Sequence, residues 1–217
     1  MNTACSDTLV FFGATGDLAY KKIFPALQAM VKRGNLKVPV IGVAKAGWNL
    51  DQLKARAKDS LEKHGGLDLA AFAKLSGLLR YVDGDYNDAA TFQALRREMA
   101  SAQRPAHYLA IPPAAFAVVV EQLSHAGCTP NARVIIEKPF GRDLASARDL
   151  NAVLLKTFDD QSACRAGIRL QRHVAGEGIG ERVVGAAGQP PSLRRRNGRL
   201  RTRARRRDGG RCDVVCP

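Results

Sequence analysis

The 217-residue sequence predicts an α/β fold, a doubly wound parallel sheet with helices on both faces, on three observations. Short apolar runs alternate with longer amphipathic stretches as far as about residue 159. The central apolar runs have no polar alternation, as strands buried on both faces do not. A glycine-containing turn closes the first of them, where such folds pass from strand to helix. Alternation of this regularity implies parallel strands joined by helical crossovers.

The elements follow in order. Thr8-Leu-Val-Phe-Phe12 is β-branched and aromatic and stops at Gly13, which predicts a buried strand followed by a turn and a helix. Pro25 suits the first turn of a helix better than its interior, so the helical segment from Leu18 is expected to bend there, and Gly34 to end it. Val38–Val43 reads as the second strand. Asp51–Lys63 reads as a helix with Leu53, Ala57 and Leu61 on one face. Leu79–Val82 and His107–Ile111 are the third and fourth strands, followed by helices at Ala89–Met99 and Ala115–His125. Arg133–Glu137 is the fifth strand and Leu144–Leu155 the helix after it.

The formal charge of +14 is unevenly placed. Residues 160–217 hold 14 Arg, no Lys and five acids, which accounts for +9 of it. They also hold nine of the 20 Gly and three of the five Cys, and no aromatic residue follows Phe158. A packed core is not built from such a composition. The expected organisation is a folded domain over 1–160 and an Arg/Gly-rich tail over 161–217 that is disordered or out of frame. Arg194-Arg-Arg196, Arg203 and Arg205-Arg-Arg207 could attract phosphates by charge, but without aromatic platforms no specific nucleic-acid partner is expected.

Other function classes find no support. No apolar run approaches the ~18 residues of a membrane span, and Asp7 interrupts the N-terminal stretch where a signal peptide would be apolar, so a cytoplasmic protein with no membrane partner is expected. The cysteines form no C-x-x-C and the four histidines are scattered, so no metal is expected. Neither H-E-x-x-H nor G-x-S-x-G occurs.

Ligands of doubly wound sheets bind beyond the carboxyl ends of the strands. Four places there carry chemistry. Gly13-Ala14-Thr15-Gly16-Asp17-Leu18-Ala19, with Tyr20, lies between strand and helix, where small residues let backbone N–H groups approach a pyrophosphate. The spacing departs from G-x-G-x-x-G, since Thr15 and Leu18 stand at the second and third glycine positions. Lys45 follows the second strand, where an acidic residue would meet the ribose of NAD; a cation there favours the 2′-phosphate of NADP. Pro112-Pro113 ends the fourth strand and builds a rigid wall. Glu137-Lys138-Pro139 ends the fifth, placing a charge pair where a nicotinamide and an anionic substrate could both be reached.

Taken jointly, the Gly13–Ala19 turn with Lys21-Lys22-Ile23-Phe24-Pro25-Ala26-Leu27, then Tyr108-Leu-Ala-Ile-Pro-Pro113, then Ile136-Glu-Lys-Pro-Phe-Gly-Arg-Asp143, resemble the glucose-6-phosphate dehydrogenase family. The resemblance covers roughly residues 6–162 in family order and implies that enzyme's Rossmann-like N-terminal coenzyme domain. It implies oxidation of glucose 6-phosphate at C1 to 6-phosphogluconolactone, with hydride passing to NADP, or to NAD as the alternative, in the pentose phosphate pathway. Gly13 through Tyr20 would line the coenzyme turn, and Lys45 would take the place of the family's Arg at the 2′-phosphate. Asp85 and Tyr86 would flank the adenosine, Pro112, Pro113 and Phe116 would border the nicotinamide, and Lys138 would reach both substrate and coenzyme.

After Phe158 the family pattern continues with Arg-Ile-Asp-His-Tyr-Leu-Gly-Lys and a large α+β domain bearing the His general base. Ala163-Cys-Arg-Ala-Gly-Ile-Arg-Leu-Gln-Arg172 keeps none of that string. No catalytic residue is therefore assigned, His173 included, and the family's homo-oligomer contact is expected to be missing. The 217 residues as written are expected to be inactive, through a reading-frame change near residue 162. Two other readings stand beside this one. An atypical short-chain dehydrogenase/reductase would also open on Gly-Ala-Thr-Gly, although none of Tyr20, Tyr81, Tyr86 or Tyr108 has Lys four residues later. A noncatalytic cofactor-binding module is the other.

Overall fold

The structure is a computed structural model that describes residues 5–136, 144–158, 163–165 and 168–169. Five parallel strands, Thr8–Phe12 (β1), Val40–Ala44 (β2), Leu79–Asp83 (β3), Pro105–Leu109 (β4) and Arg133–Ile136 (β5), form the body of one sheet. The spatial order is β3-β2-β1-β4-β5, so chain order reverses between β1 and β4. The sheet also runs past the boundary expected at residue 160. Ala163–Arg165 (β6) pairs parallel with β5, and Ile168–Arg169 (β7) pairs antiparallel with β6. This occupies an edge of β5 that would otherwise present unpaired N–H and C=O groups. The rest of the 161–217 tail, with its arginine clusters, His173 and the frame change expected near residue 162, lies outside the described residues.

Burial on both faces explains the unbroken apolar strands. Along β1, Leu9 and Phe11 belong to one buried cluster, and Val10 and Phe12 to the other. Phe24–Lys32 (α1), Leu50–His64 (α2) and Leu69–Leu78 (α3) cover the first face through Phe24, Leu27, Leu53, Ala57 and Leu75. Ala89–Met99 (α4), Phe116–His125 (α5) and Leu144–Thr157 (α6) cover the second through Phe92, Leu95, Val119, Leu123 and Leu154. Phe11 and Phe12 are both fully buried, each stabilising the fold by about 2–3 kcal/mol relative to exposure.

Local chemistry sets the boundaries. Pro39 keeps the first residues expected in β2 out of it: the strand starts at Val40, and the Pro39 carbonyl accepts the Leu9 N–H at 2.9 Å. β4 begins two residues earlier than expected, at Pro105, the first residue of the strand, where a missing N–H is tolerated. Around Pro25 the helix changes register: Ala19–Ile23 is a π-helical turn closed by Phe24 N–H to the Ala19 carbonyl, and α1 continues from Phe24 with proline in its first turn. The wide turn accommodates a residue that has no N–H to donate to an ordinary i−4 ladder. Helix α3 is not foreseen from the sequence. Its apolar pattern is diffuse, and it is started by Asp68, whose carboxylate accepts the Ala71 N–H at 3.0 Å. Helix α2 begins at a reciprocal capping box between Asn49 and Gln52, with both bonds at 2.9 Å.

Candidate functional site

The crevice opens where the strand order reverses, beyond the carboxyl ends of β1 and β4. Gly13 sits in it with φ +79°, and a Cβ on Gly13 would lie 2.3 Å from the Ala110 carbonyl oxygen. No other residue type allows the turn after β1 to lie this close to the chain leaving β4. The turn is then fixed from below. Gly13 and Ala14 donate their N–H groups to the Val43 carbonyl at 2.9 and 3.2 Å, and Gly16 donates to the Gly13 carbonyl at 3.0 Å.

The first helical bond runs from Tyr20 N–H to the Gly16 carbonyl, at 3.0 Å. The N–H groups of Asp17, Leu18 and Ala19 therefore precede the first i−4 acceptor, and they stand at the positive end of the helical segment. The side chains around them are small or exposed, and the Asp17 carboxylate is drawn onto Lys21 at 3.1 Å. The residues present thus fit a pyrophosphate: donors are available, no Cβ crowds the approach at Gly13, and the nearest acid is paired.

Tyr86 braces the turn from the β3 side. Its hydroxyl accepts the Gly13 N–H at 2.9 Å and donates to the Val43 carbonyl at 3.2 Å, while its ring meets Phe12 edge-on at 5.8 Å. Burial pushes the Tyr86 phenol above its ordinary range. At the end of β2, Lys45 is paired with Asp85 across 2.7 Å. The Asn87 N–H and the Lys45 ammonium hold the Asp85 carboxyl down at about 2. Beside it, Asp83 gathers the loop after β2. Its Oδ1 accepts N–H groups from Ala46 and Trp48 at 3.0 and 3.3 Å and the Tyr81 hydroxyl at 2.8 Å. Desolvation alone would raise the Asp83 carboxyl, but these donors keep it below the usual carboxylate range.

The expected site residues separate into groups. Gly13, Ala14, Thr15, Gly16, Asp17, Leu18 and Ala19 form the turn, and Lys45, Asp85 and Tyr86 line its β2–β3 flank. Pro112 and Pro113 are exposed just past β4, where the Ala115 N–H closes on the Pro112 carbonyl at 2.9 Å. Two side chains turn elsewhere. Tyr20 is buried, with its hydroxyl donated to Asp59 of α2 and Arg56 stacked 4.0 Å from its ring centre. Phe116 is buried in the core between the sheet and α5. Lys138, expected to touch both substrate and coenzyme, lies outside the described residues.

Sequence reasoning passed over Asp83, Ala110 and Thr91. Thr91 packs where a Cβ on Gly84 would stand, 2.1 Å from its Oγ1. Asp83 and Ala110 act through partners tens of residues away, which leaves no local pattern, and Thr91 through Gly84 across a turn of seven residues; only Gly13 and Gly84 hint at the close approaches. Among the described residues no group of His, Cys, Asp and Glu could hold a metal ion, and no helix is long and apolar enough to cross a membrane.

Comparison with known proteins agrees with this geometry. The family model for the glucose-6-phosphate dehydrogenase NAD-binding domain matches residues 10–167. Glucose-6-phosphate 1-dehydrogenase 1 of Mycobacterium tuberculosis is 42% identical over 160 residues, covering 74% of this chain and 34% of that protein. The Saccharomyces cerevisiae glucose-6-phosphate 1-dehydrogenase is 35% identical over 168 residues, covering 71% and 33%. The crystal structure of the Mycobacterium avium enzyme superimposes with a TM-score of 0.70 at 44% identity, over 74% of this chain and 36% of that one. A glucose-6-phosphate dehydrogenase in complex with glucose 6-phosphate gives a TM-score of 0.65 at 31% identity, over 74% and 36%. The chain spans about a third of the length of the curated relatives it matches.

Proposed function

Because the chain belongs to the glucose-6-phosphate dehydrogenase family through its NAD-binding domain, we propose that it binds NADP, with NAD as a second coenzyme, and forms the coenzyme half of glucose 6-phosphate oxidation. The short-chain dehydrogenase reading gives way to a family match over residues 10–167, which takes in the strands β2 to β6 and most of β1. When bound, the coenzyme supplies the hydride acceptor. Gly13–Ala19 holds the pyrophosphate on backbone N–H groups, Lys45 meets the adenosine ribose edge, and Ala110–Pro113 walls the nicotinamide end. By the family resemblance, Lys138 would contact both substrate and coenzyme. The two thirds of the relatives' length that this chain does not match supply the sugar-phosphate ligands and the general base, so the 217 residues alone bind coenzyme without turning substrate over.

The observation that carries this reading is the approach of Ala110 to a glycine in the left-handed region, at the point where strand order reverses. Titration calorimetry of the full 217-residue chain with NADP and with NAD tests it. Heat of binding is expected with NADP, and no NADPH should form on adding glucose 6-phosphate. No heat with either coenzyme overturns the binding proposal, and NADPH formation overturns the division of labour.

A further inference from the structure

The cation expected to greet a 2′-phosphate is already engaged. Lys45 Nζ lies 2.7 Å from Asp85 Oδ2, and the lysine side chain is 71% exposed against 36% for the aspartate. The two partners are not equally free. Asp85 Oδ1 accepts both the backbone N–H and the side-chain amide of Asn87, each at 2.9 Å. The Asp88 N–H returns to the Asp85 carbonyl at 3.1 Å, and the Gly84 N–H staples the same turn to the Ala44 carbonyl of β2 at 3.0 Å. Asp85 is therefore a fixed carboxylate at the mouth, and Lys45 is a flexible side chain drawn onto it.

An ammonium has three N–H groups, so Lys45 can keep Asp85 and still donate to a ligand. The tetrahedral angle at Nζ then puts the ligand's oxygen about 4.5 Å from the carboxylate. A phosphate at that distance meets a like charge. A neutral ribose hydroxyl at that distance meets no such repulsion, and where it takes the place of Lys45 on the carboxylate it can donate to it directly at about 2.7 Å.

We propose that Asp85 is a specificity-determining residue of the coenzyme site: its carboxylate opposes a 2′-phosphate, favours a free 2′-hydroxyl, and so lets NAD compete with NADP. This rests on the coenzyme reading above. The chemistry it recognises is the adenosine 2′ position alone, so the nicotinamide half of the ligand plays no part.

The test compares wild type with Asp85→Asn in the full chain, using NADP, NAD and two shorter probes, adenosine 2′,5′-bisphosphate and AMP. Asparagine keeps an acceptor for Asn87 and removes the charge. Screened by water at about 4.5 Å, loss of the repulsion should raise affinity for the 2′-phosphorylated ligands by roughly 10- to 30-fold. Affinity for NAD and AMP should fall a few-fold or stay level. Asp85→Ser, whose hydroxyl can also accept from Asn87, repeats the comparison should the asparagine variant fold poorly. A phosphorylated-to-unphosphorylated preference that moves less than about twofold in both variants overturns the role of Asp85 and leaves the coenzyme reading standing. If wild type binds none of the four ligands, the coenzyme reading itself has failed, and this inference with it.

Discussion

Replacing Gly13 by alanine tests the crevice directly, because the structure separates two penalties that such a change combines. The added Cβ would begin 2.3 Å from the Ala110 oxygen, 3.1 Å from its carbonyl carbon and 3.3 Å from Ile111 Cγ2. Real Cβ contacts do not fall below 3.0 Å, so the chain leaving β4 must retreat by about 0.7 Å. Neither atom of the Ala110 carbonyl is the tip of a mobile side chain, and the displacement passes into the backbone. Holding φ at +79° costs an L-residue about 1–2 kcal/mol, and overpacking of this kind costs about 1–3 kcal/mol. Together they predict a loss of about 2–5 kcal/mol, a large share of the ~5–15 kcal/mol typical of a domain.

Gly34 supplies the control. It has φ +76° at the end of α1 with nothing within 4 Å of a built Cβ, so Gly34→Ala carries only the same backbone penalty, about 1–2 kcal/mol. Urea denaturation of the two variants and wild type, read at constant m-value, isolates the steric part as their difference. Coenzyme titration under native conditions should show Gly13→Ala weakened at least about tenfold and Gly34→Ala unchanged. Equal destabilisation by the two substitutions, with coenzyme affinity intact in both, would refute the claim that β1 and β4 meet through a glycine-sized gap.

Two further predictions concern groups packed beneath the mouth. Tyr86→Phe removes the hydroxyl between Gly13 N–H and the Val43 carbonyl, but that carbonyl still accepts from Gly13 and Ala14. With no buried group orphaned, urea melts should show a loss of only about 1 kcal/mol, and a loss above ~3 kcal/mol would contradict the bonding described. His107 is fully buried; its Nε2 faces the Cys128 carbonyl at 2.8 Å and its Nδ1 has no partner, so burial pushes the imidazole down to about 4. Between that value and the ordinary 6.5 the unfolded chain takes up a proton that the folded chain does not. Stability from this group is therefore complete above the upper value and falls as pH drops, by about 2 kcal/mol at about pH 5. His107→Gln should flatten the stability curve over that window, and an unchanged slope would remove His107 from the account.

The central strands were legible because they are buried on both faces and so carry no polar alternation to confuse with helix: Thr8–Phe12 and Arg133 onward were placed within a residue or two, as was Leu79–Val82 at the end of the strand order, where Arg80 is exposed. Helix α3 was not legible, since Leu69, Ala70, Ala71, Phe72 and Ala73 spread apolar residues around the whole turn, and only Leu75 and Ala71 are buried. The geometry of the crevice was legible where the fold demands a backbone property, as at Gly13, and not where it demands a long-range contact. Tyr20 shows the same limit from the other side. Its place beside the turn suggested a ligand contact, yet its ring is held by Arg56 and Asp59 from a helix some 40 residues on.

Net charge was the least informative quantity, and the reason bears on how the mouth attracts an anion. Two lysines flanking the turn, Lys21 and Lys45, each lie within 3.1 Å of a carboxylate, so as ion pairs they contribute little long-range field. What remains aimed at the crevice are the N–H dipoles of Asp17, Leu18 and Ala19, which are fixed by the fold and close to the ligand. Fixed dipoles at short range are screened by salt far less than exposed charges. On the proposed coenzyme reading, the pyrophosphate half of the ligand would be met by backbone geometry that depends on Gly13, and the adenosine half by a salt bridge whose two ends pull in opposite directions. Affinity for a nicotinamide dinucleotide would then follow from the first, and the choice between its two forms from the second.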